Sequence, residues 1–301
     1  MDTHSKVEKR FLFHANSVAF AAHVRRPDDF FIPAVASSCL PITGGLAQAE
    51  SGPQRFNDII SFDSASSRAH GDYADTRRAA DFTHGNFEEN HLSTNTFVES
   101  TLKGLKFEIP QDPVGDAAPV VRRFSVENLH ARLESVSDRR SPVAFRSLET
   151  TIDGVSIDGY PLKVITAAHI FGQHDTYAKL VKAYEEDADF RKQYASCFFP
   201  TGHEKHGLSG LLSKHEIPHA DHTVVGTVVT RLKWEDKEPP ETVISGNRLA
   251  INGIGTIFFG EILVEESFRR ITLLRFQLGS PYGADGSACE LQSNGESWPP
   301  A

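Results

Sequence analysis

The chain has 301 residues, 39% of them hydrophobic, enough for one large domain or two ordinary ones without a disulfide or metal to complete the core. Its net charge of −9 weighs against a nucleic-acid binder, which needs a positive surface, and offers no polybasic anchor for an anionic membrane. No stretch approaches the ~20 apolar residues of a membrane span.

Residues 7–24 alternate imperfectly and carry Phe11, Phe13, Val18, Phe20 and Val24, which predicts a long strand or a bent pair. The same segment is no signal peptide. His14, Asn16 and His23 break its apolar run, and the cleavage-like Ala47-Gln48-Ala49 falls too late. Pro27, Pro33, Pro41 and Pro53, with Gly44-Gly45, forbid a helix before residue 55 and predict short extended pieces and turns. From Asp58 to Ser100 hydrophobic density is low and the phenylalanines are isolated. Residues 50–118 therefore read as an irregular polar excursion, a length of loop that is uncommon unless functional or ordered by a partner.

Beyond the Pro/Gly/Asp joint at 107–120 the β signal is strong. Phe124 and Val126 lie on one phase and Leu129, Ala131 and Leu133 on the other, a slip that predicts a β-bulge. Asp153-Gly154 and Asp158-Gly159 predict tight turns, because glycine accepts positive φ at little cost. Tyr177, Leu180, Val181, Tyr184, Ala188 and Tyr194 recur at helical steps after an N-cap at Asp175 or Thr176, predicting a helical insertion over 174–199 with a break near 187–189. Strands resume after Thr223, and 254–278 predicts a hairpin turning at Glu265–Ser267, apolar on both faces as central strands are.

Five arginine pairs, including Arg122–Arg123 and Arg269–Arg270, sit in β-like runs, where neighbours point to opposite faces. Cys39, Cys197 and Cys289 are odd in number and widely spaced, fitting neither a disulfide framework nor a metal knuckle; free thiols and cytoplasmic residence follow.

One segment spells a catalytic motif: GHEKHGLSGLLSKHEIPHADHT, residues 202–223, contains HExxH at His215, Glu216 and His219. A zincin needs both histidines on one helical face, and Pro218 breaks that helix at a cost of roughly 3 kcal/mol. A loop site remains open, in which His203, His206, His215, Glu216, His219 and His222 supply zinc ligands. Looser groups are His169 with His174, and His70, His84 and His91 with Asp72, Asp75 and Asp81. No GxSxG, P-loop, GxGxxG or kinase signature occurs.

The expectation is a mainly β chain, a sandwich or partly closed barrel in a single β-rich domain over 1–301, with α+β as the second choice. The leading functional expectation is a non-enzymatic structural or assembly protein, associating with itself or with other protein subunits and needing no cofactor. The alternatives are a metal-dependent hydrolase using the His203–His222 segment, with zinc, and a small-molecule or carbohydrate-binding β-barrel module.

Overall fold

The structure, a computed structural model, describes residues 10–73, 93–111, 120–137, 144–199, 223–279 and 282–298. In chain order the strands are β1 (Arg10–Val24), β2 (Phe30–Cys39), β3 (Gly45–Ser51), β4 (Gln54–Phe56), β5 (Ile60–Phe62), β6 (Ser64–Tyr73), β7 (Thr94–Gln111), β8 (Val120–Ser137), β9 (Ala144–Asp153), β10 (Val155–Ile157) and β11 (Tyr160–Thr166). Helices α1 (His169–Gln173), α2 (Tyr177–Glu186) and α3 (Ala188–Tyr194) follow. They precede β12 (Val224–Thr227), β13 (Val229–Trp234), β14 (Thr242–Ser245), β15 (Arg248–Ile251), β16 (Gly255–Val264), β17 (Phe268–Leu278) and β18 (Ala284–Trp298). With 68% strand against 11% helix in two antiparallel sheets, the fold is mainly β rather than α+β.

Sheet A runs β14-β15-β16-β17-β18-β1-β2, with β12 also on β16. Sheet B runs β13-β11-β10-β8-β7-β5-β4, with β6 on β7, β3 on β6 and β9 on β8. The inner faces meet over a phenylalanine-rich core that includes Phe20, Phe62, Phe107, Phe124, Phe259 and Phe276. Toward one end the interface turns to small polar residues. Ser17 donates to the Glu99 carbonyl at 2.9 Å, and the Ser135 and Ser293 hydroxyls meet at 2.9 Å. The chain steps from sheet A into sheet B twice, from β2 into β3 and, through the single residue Val228, from β12 into β13. Val228 donates to the Gly260 carbonyl at 2.8 Å and accepts from Ala167 at 2.7 Å, so the sandwich is partly closed at these corners.

Each sheet carries a transverse crease. In sheet A the ladder omits one row, Gly260, Leu273, Cys289, Ala19 and Ala36 across β16, β17, β18, β1 and β2. Alternate members have positive φ: Gly260 63°, Cys289 50° and Ala36 47°. In sheet B the equivalent row is Asp63, Gly104, Glu127 and Gly154, with Gly104 at 66° and Gly154 at 63°. Crossing the row exchanges the inward phase. On β7 Val98, Ser100 and Leu102 face in before it and Leu105, Phe107 and Ile109 after it. The slip expected on β8 is this crease. A right-handed pleat held in one phase over eighteen residues would carry the sheet away from its partner; the crease re-aims it.

Three expectations need correction. Residues 64–73 and 94–111, within the supposed irregular excursion 50–118, are β6 and β7. Their inward side chains include Ala65, Ser67, Ala69, Thr96 and Ser100, too small or polar to register as an apolar alternation. The proline-containing stretch after residue 26 holds the ten-residue β2, with Pro33 tolerated because β2 is an edge strand. Of the two Asp-Gly turns, Asp158-Gly159 is a two-residue hairpin turn with φ of 49° and 84°, whereas Gly154 is a crease point. There the chain continues along β8 instead of reversing.

The helical insertion forms with Thr176 as N-cap, its hydroxyl accepting from Lys179 at 3.3 Å, and breaks at Asp187, whose carboxylate caps α3. Helix α1 precedes the expected start. It docks on β9, where Phe145 donates to the Asp175 carbonyl at 2.7 Å. A fully buried arginine on sheet A bolts it down. Arg269 donates to the carbonyls of Phe171 and, at 2.7 Å, His174, and its guanidinium lies 4.5 Å from the Phe145 ring centroid. Those carbonyls are the groups a helix end leaves without partners. Burial pushes Arg269 down to about 9, with Asp175 opposing, so it stays protonated at neutral pH.

Candidate functional site

The proposed zinc ligands His203, His206, His215, Glu216, His219 and His222 lie outside the described residues, as do His84, His91, Asp75 and Asp81. The remaining candidates do not converge. His169 meets the Tyr194 hydroxyl at 3.3 Å on the helical insertion, His174 caps α1, and His70 stacks on Phe97 on sheet B. Among the described residues, no three His, Cys, Asp or Glu side chains are grouped to hold a metal ion. Cys39 is exposed. Cys197 and Cys289 are buried thiols, which burial pushes up to about 11 and about 12.

The site that the fold does build lies on the outer face of sheet A, where the crease opens a groove of about 540 Å³. Strand alternation selects its side chains, and antiparallel register lines them up in rows. One row is Glu261, Thr272 and Glu290 on β16, β17 and β18. Across the crease come Phe258, Arg275 and Ser287, then Thr256, Gln277 and Asp285. Glu261 and Glu290 flank Thr272 from two strands apart, about 9.6 Å between backbones. Gly286, beneath the groove, belongs to the inward row with Phe276 and Ala22, where an added Cβ would lie 2.5 Å from the Phe276 ring.

The charged groups in the groove are already paired. Arg275 grips Glu261 with both ends of its fork, Nε to Oε2 at 2.6 Å and Nη2 to Oε1 at 2.7 Å. It also covers Phe258, its guanidinium 3.7 Å from the ring centroid, which is how an outward phenylalanine comes to be 3% exposed. Arg270 pairs with Glu290 at 2.7 Å, Ser287 donates to Glu290 at 3.2 Å, and Arg25 pairs with Asp285. Each of the three carboxylates is met by a guanidinium, Arg25 from outside the lining, so the ion pairs sum to zero charge and their donors and acceptors are held in place, since a bidentate fork fixes orientation as well as distance. One wall is apolar: Phe199, Val225 and Leu263. The helical insertion delivers Phe199, which donates to the Val225 carbonyl at 2.9 Å.

Sequence reasoning reached one part of this arrangement, the splitting of arginine pairs between faces: Arg122 and Arg269 are buried with Arg123 and Arg270 exposed, whereas Arg25 and Arg26 are both exposed and the other two pairs lie outside the described residues. It missed the groove. The available signal was a polar residue on the outward phase of three successive strands, at Glu261, Thr272 and Glu290, but only the register makes them neighbours.

No helix among the described residues is long and apolar enough to cross a membrane. No curated protein matches the chain. A family model described as a domain of unknown function, DUF8256, matches residues 11–265, and the chain belongs to that family.

Proposed function

We propose that the chain is a non-enzymatic binding module whose groove on sheet A holds a neutral polyhydroxylated ligand, an oligosaccharide in chemical class. One observation carries this reading: the ion pairs of the groove are formed in advance and sum to zero charge. A hydroxyl both donates and accepts, so it matches alternating carboxylate and guanidinium edges without upsetting their balance. A charged ligand would have to break a pair. The wall of Phe199, Val225 and Leu263 suits the apolar face of a sugar ring, in keeping with small-molecule sites that combine apolar lining with a few fixed polar groups. Glu261, with both oxygens bound, is an acceptor in this network and not a free base.

The test is nuclear magnetic resonance titration of the full chain with neutral and charged oligosaccharides, with a Ser287→Trp variant that fills the floor. Binding of a neutral oligosaccharide that is insensitive to salt and lost in the variant is expected. Binding confined to charged saccharides, or undiminished in S287W, would overturn it.

A second reading, a self-associating structural subunit, has its own support in β3. Its outer edge is unpaired among the described residues and carries neither proline nor lysine, and Leu46 on it is half exposed. By contrast β2 has Pro33 and the positive-φ Ala36, and β14 is only four residues long, devices that blunt an edge. Light scattering on the wild type and on Gln48→Pro decides it: a defined oligomer reduced by the variant supports assembly, and a monomer at all concentrations ends it. The charge of −9 favours a partner other than nucleic acid, and three free thiols favour the cytoplasm.

A further inference from the structure

We propose that Arg68, Arg132, His70 and Phe97, on the outer face of sheet B, form a second binding site that takes a single oxyanion group, carboxylate or phosphate, of a small ligand. Strands β6, β7 and β8 place these residues in two adjacent rows, His70–Phe97–Glu134 and Arg68–Glu99–Arg132. Both guanidinia lie over the same ring, 5.2 Å and 4.9 Å from the Phe97 centroid. The His70 imidazole stacks on it at 5.3 Å, with 28° between the planes.

Neither arginine has an ion-pair partner among the described residues, although carboxylates stand beside both. Glu99, between them in register, is drawn aside to His130 at 3.8 Å, which is held by Thr101 at 3.0 Å. Glu134 accepts from Ser147 at 3.5 Å. On sheet A the equivalent positions behave differently, Arg270 and Arg275 each gripping a glutamate on a neighbouring strand. Nε of Arg132 is buried without a hydrogen-bond partner, so part of this guanidinium has lost water and gained nothing in exchange.

A guanidinium stacked on a ring keeps its N–H edge free for bidentate contact with a carboxylate or phosphate. The two cations lie within about 10 Å of each other, inside the screening length at physiological salt or close to it, and repel. An oxyanion held by their remaining N–H groups offsets that repulsion. The imidazole and the phenyl ring then favour a flat ligand body. This site is on the opposite sheet from the groove, so it stands or falls independently.

The experiment titrates the full chain with inorganic phosphate and, separately, with benzoate, following amide resonances of β6, β7 and β8. Either probe should shift them saturably, and binding should weaken with rising salt. Arg68→Gln and Arg132→Gln should each lose at least tenfold in affinity, and the double variant should lose binding, with circular dichroism unchanged. Tighter phosphate binding identifies a phosphorylated ligand. Tighter benzoate binding, reduced in Phe97→Leu, identifies an aromatic or cyclic carboxylate. The S287W groove variant should bind both probes normally. No saturable shift by either probe, or full binding in the double arginine variant, would overturn the proposal.

Discussion

Replacing Arg269 by methionine should unfasten the helical insertion. The side chain is fully buried, and its removal strips donors from the Phe171 and His174 carbonyls. Each acceptor left without a partner costs about 1–3 kcal/mol, and loss of the contact with Phe145 adds about 2 kcal/mol for a desolvated cation over a ring. Against these stands relief from burying a charge, which amounts to several kcal/mol. The balance expected when one side of a buried charged network is removed is a loss of about 3–5 kcal/mol, or roughly 5 to 10 °C in Tm. Urea denaturation at pH 7, followed by tryptophan fluorescence and circular dichroism, measures it. Limited proteolysis should show faster cleavage between residues 169 and 199. A variant within 1 kcal/mol of wild type, or one destabilised without faster cleavage there, would refute the argument that this arginine is the bolt.

Gly154 and Gly159 should respond differently to valine. Both have positive φ, but a Cβ at Gly154 would lie 2.2 Å from Glu127 Cγ, while Gly159 has nothing within 4 Å. Losses of about 3 kcal/mol and about 1–2 kcal/mol are expected in urea melts; equal losses would count against the crease. Native protein should label with a thiol reagent at Cys39 alone, and at Cys197 and Cys289 only on unfolding, because burial raises both thiols; mass spectrometry of the labelled peptides reports it. His174 is pushed below its usual 6.5, first by burial and then by Arg269. The unfolded chain therefore binds the proton more readily. The stability contributed by the neutral ring is fully present above pH 6.5 and is lost as pH falls toward the folded value. His174→Gln should flatten the acid limb of a stability–pH curve, and an unchanged slope would assign that limb to other groups.

The sequence by itself determined the elements whose signal is local. Alternation set β1 and the hairpin of β16 and β17; Thr176 and the three- and four-residue spacing set α2 and α3; Asp158-Gly159 set a two-residue turn. Only the tertiary structure decided the rest. Ala65, Ser67, Thr96 and Ser100 are inward because a second sheet lies over them, not because they avoid water, so β6 and the first half of β7 had no apolar period to read. Gly154 matched Gly159 as a dipeptide and differed in whether the next strand reversed or ran on, a choice made by pairing with β8. The groove floor and the arginine pair over Phe97 join residues from successive strands that no local pattern in the sequence links. Register alone makes Glu261, Thr272 and Glu290 neighbours, and it is set by burial of the opposite face, since slipping one residue would turn Ile271 and Phe276 out to solvent and bring Thr272 and Arg275 into the core.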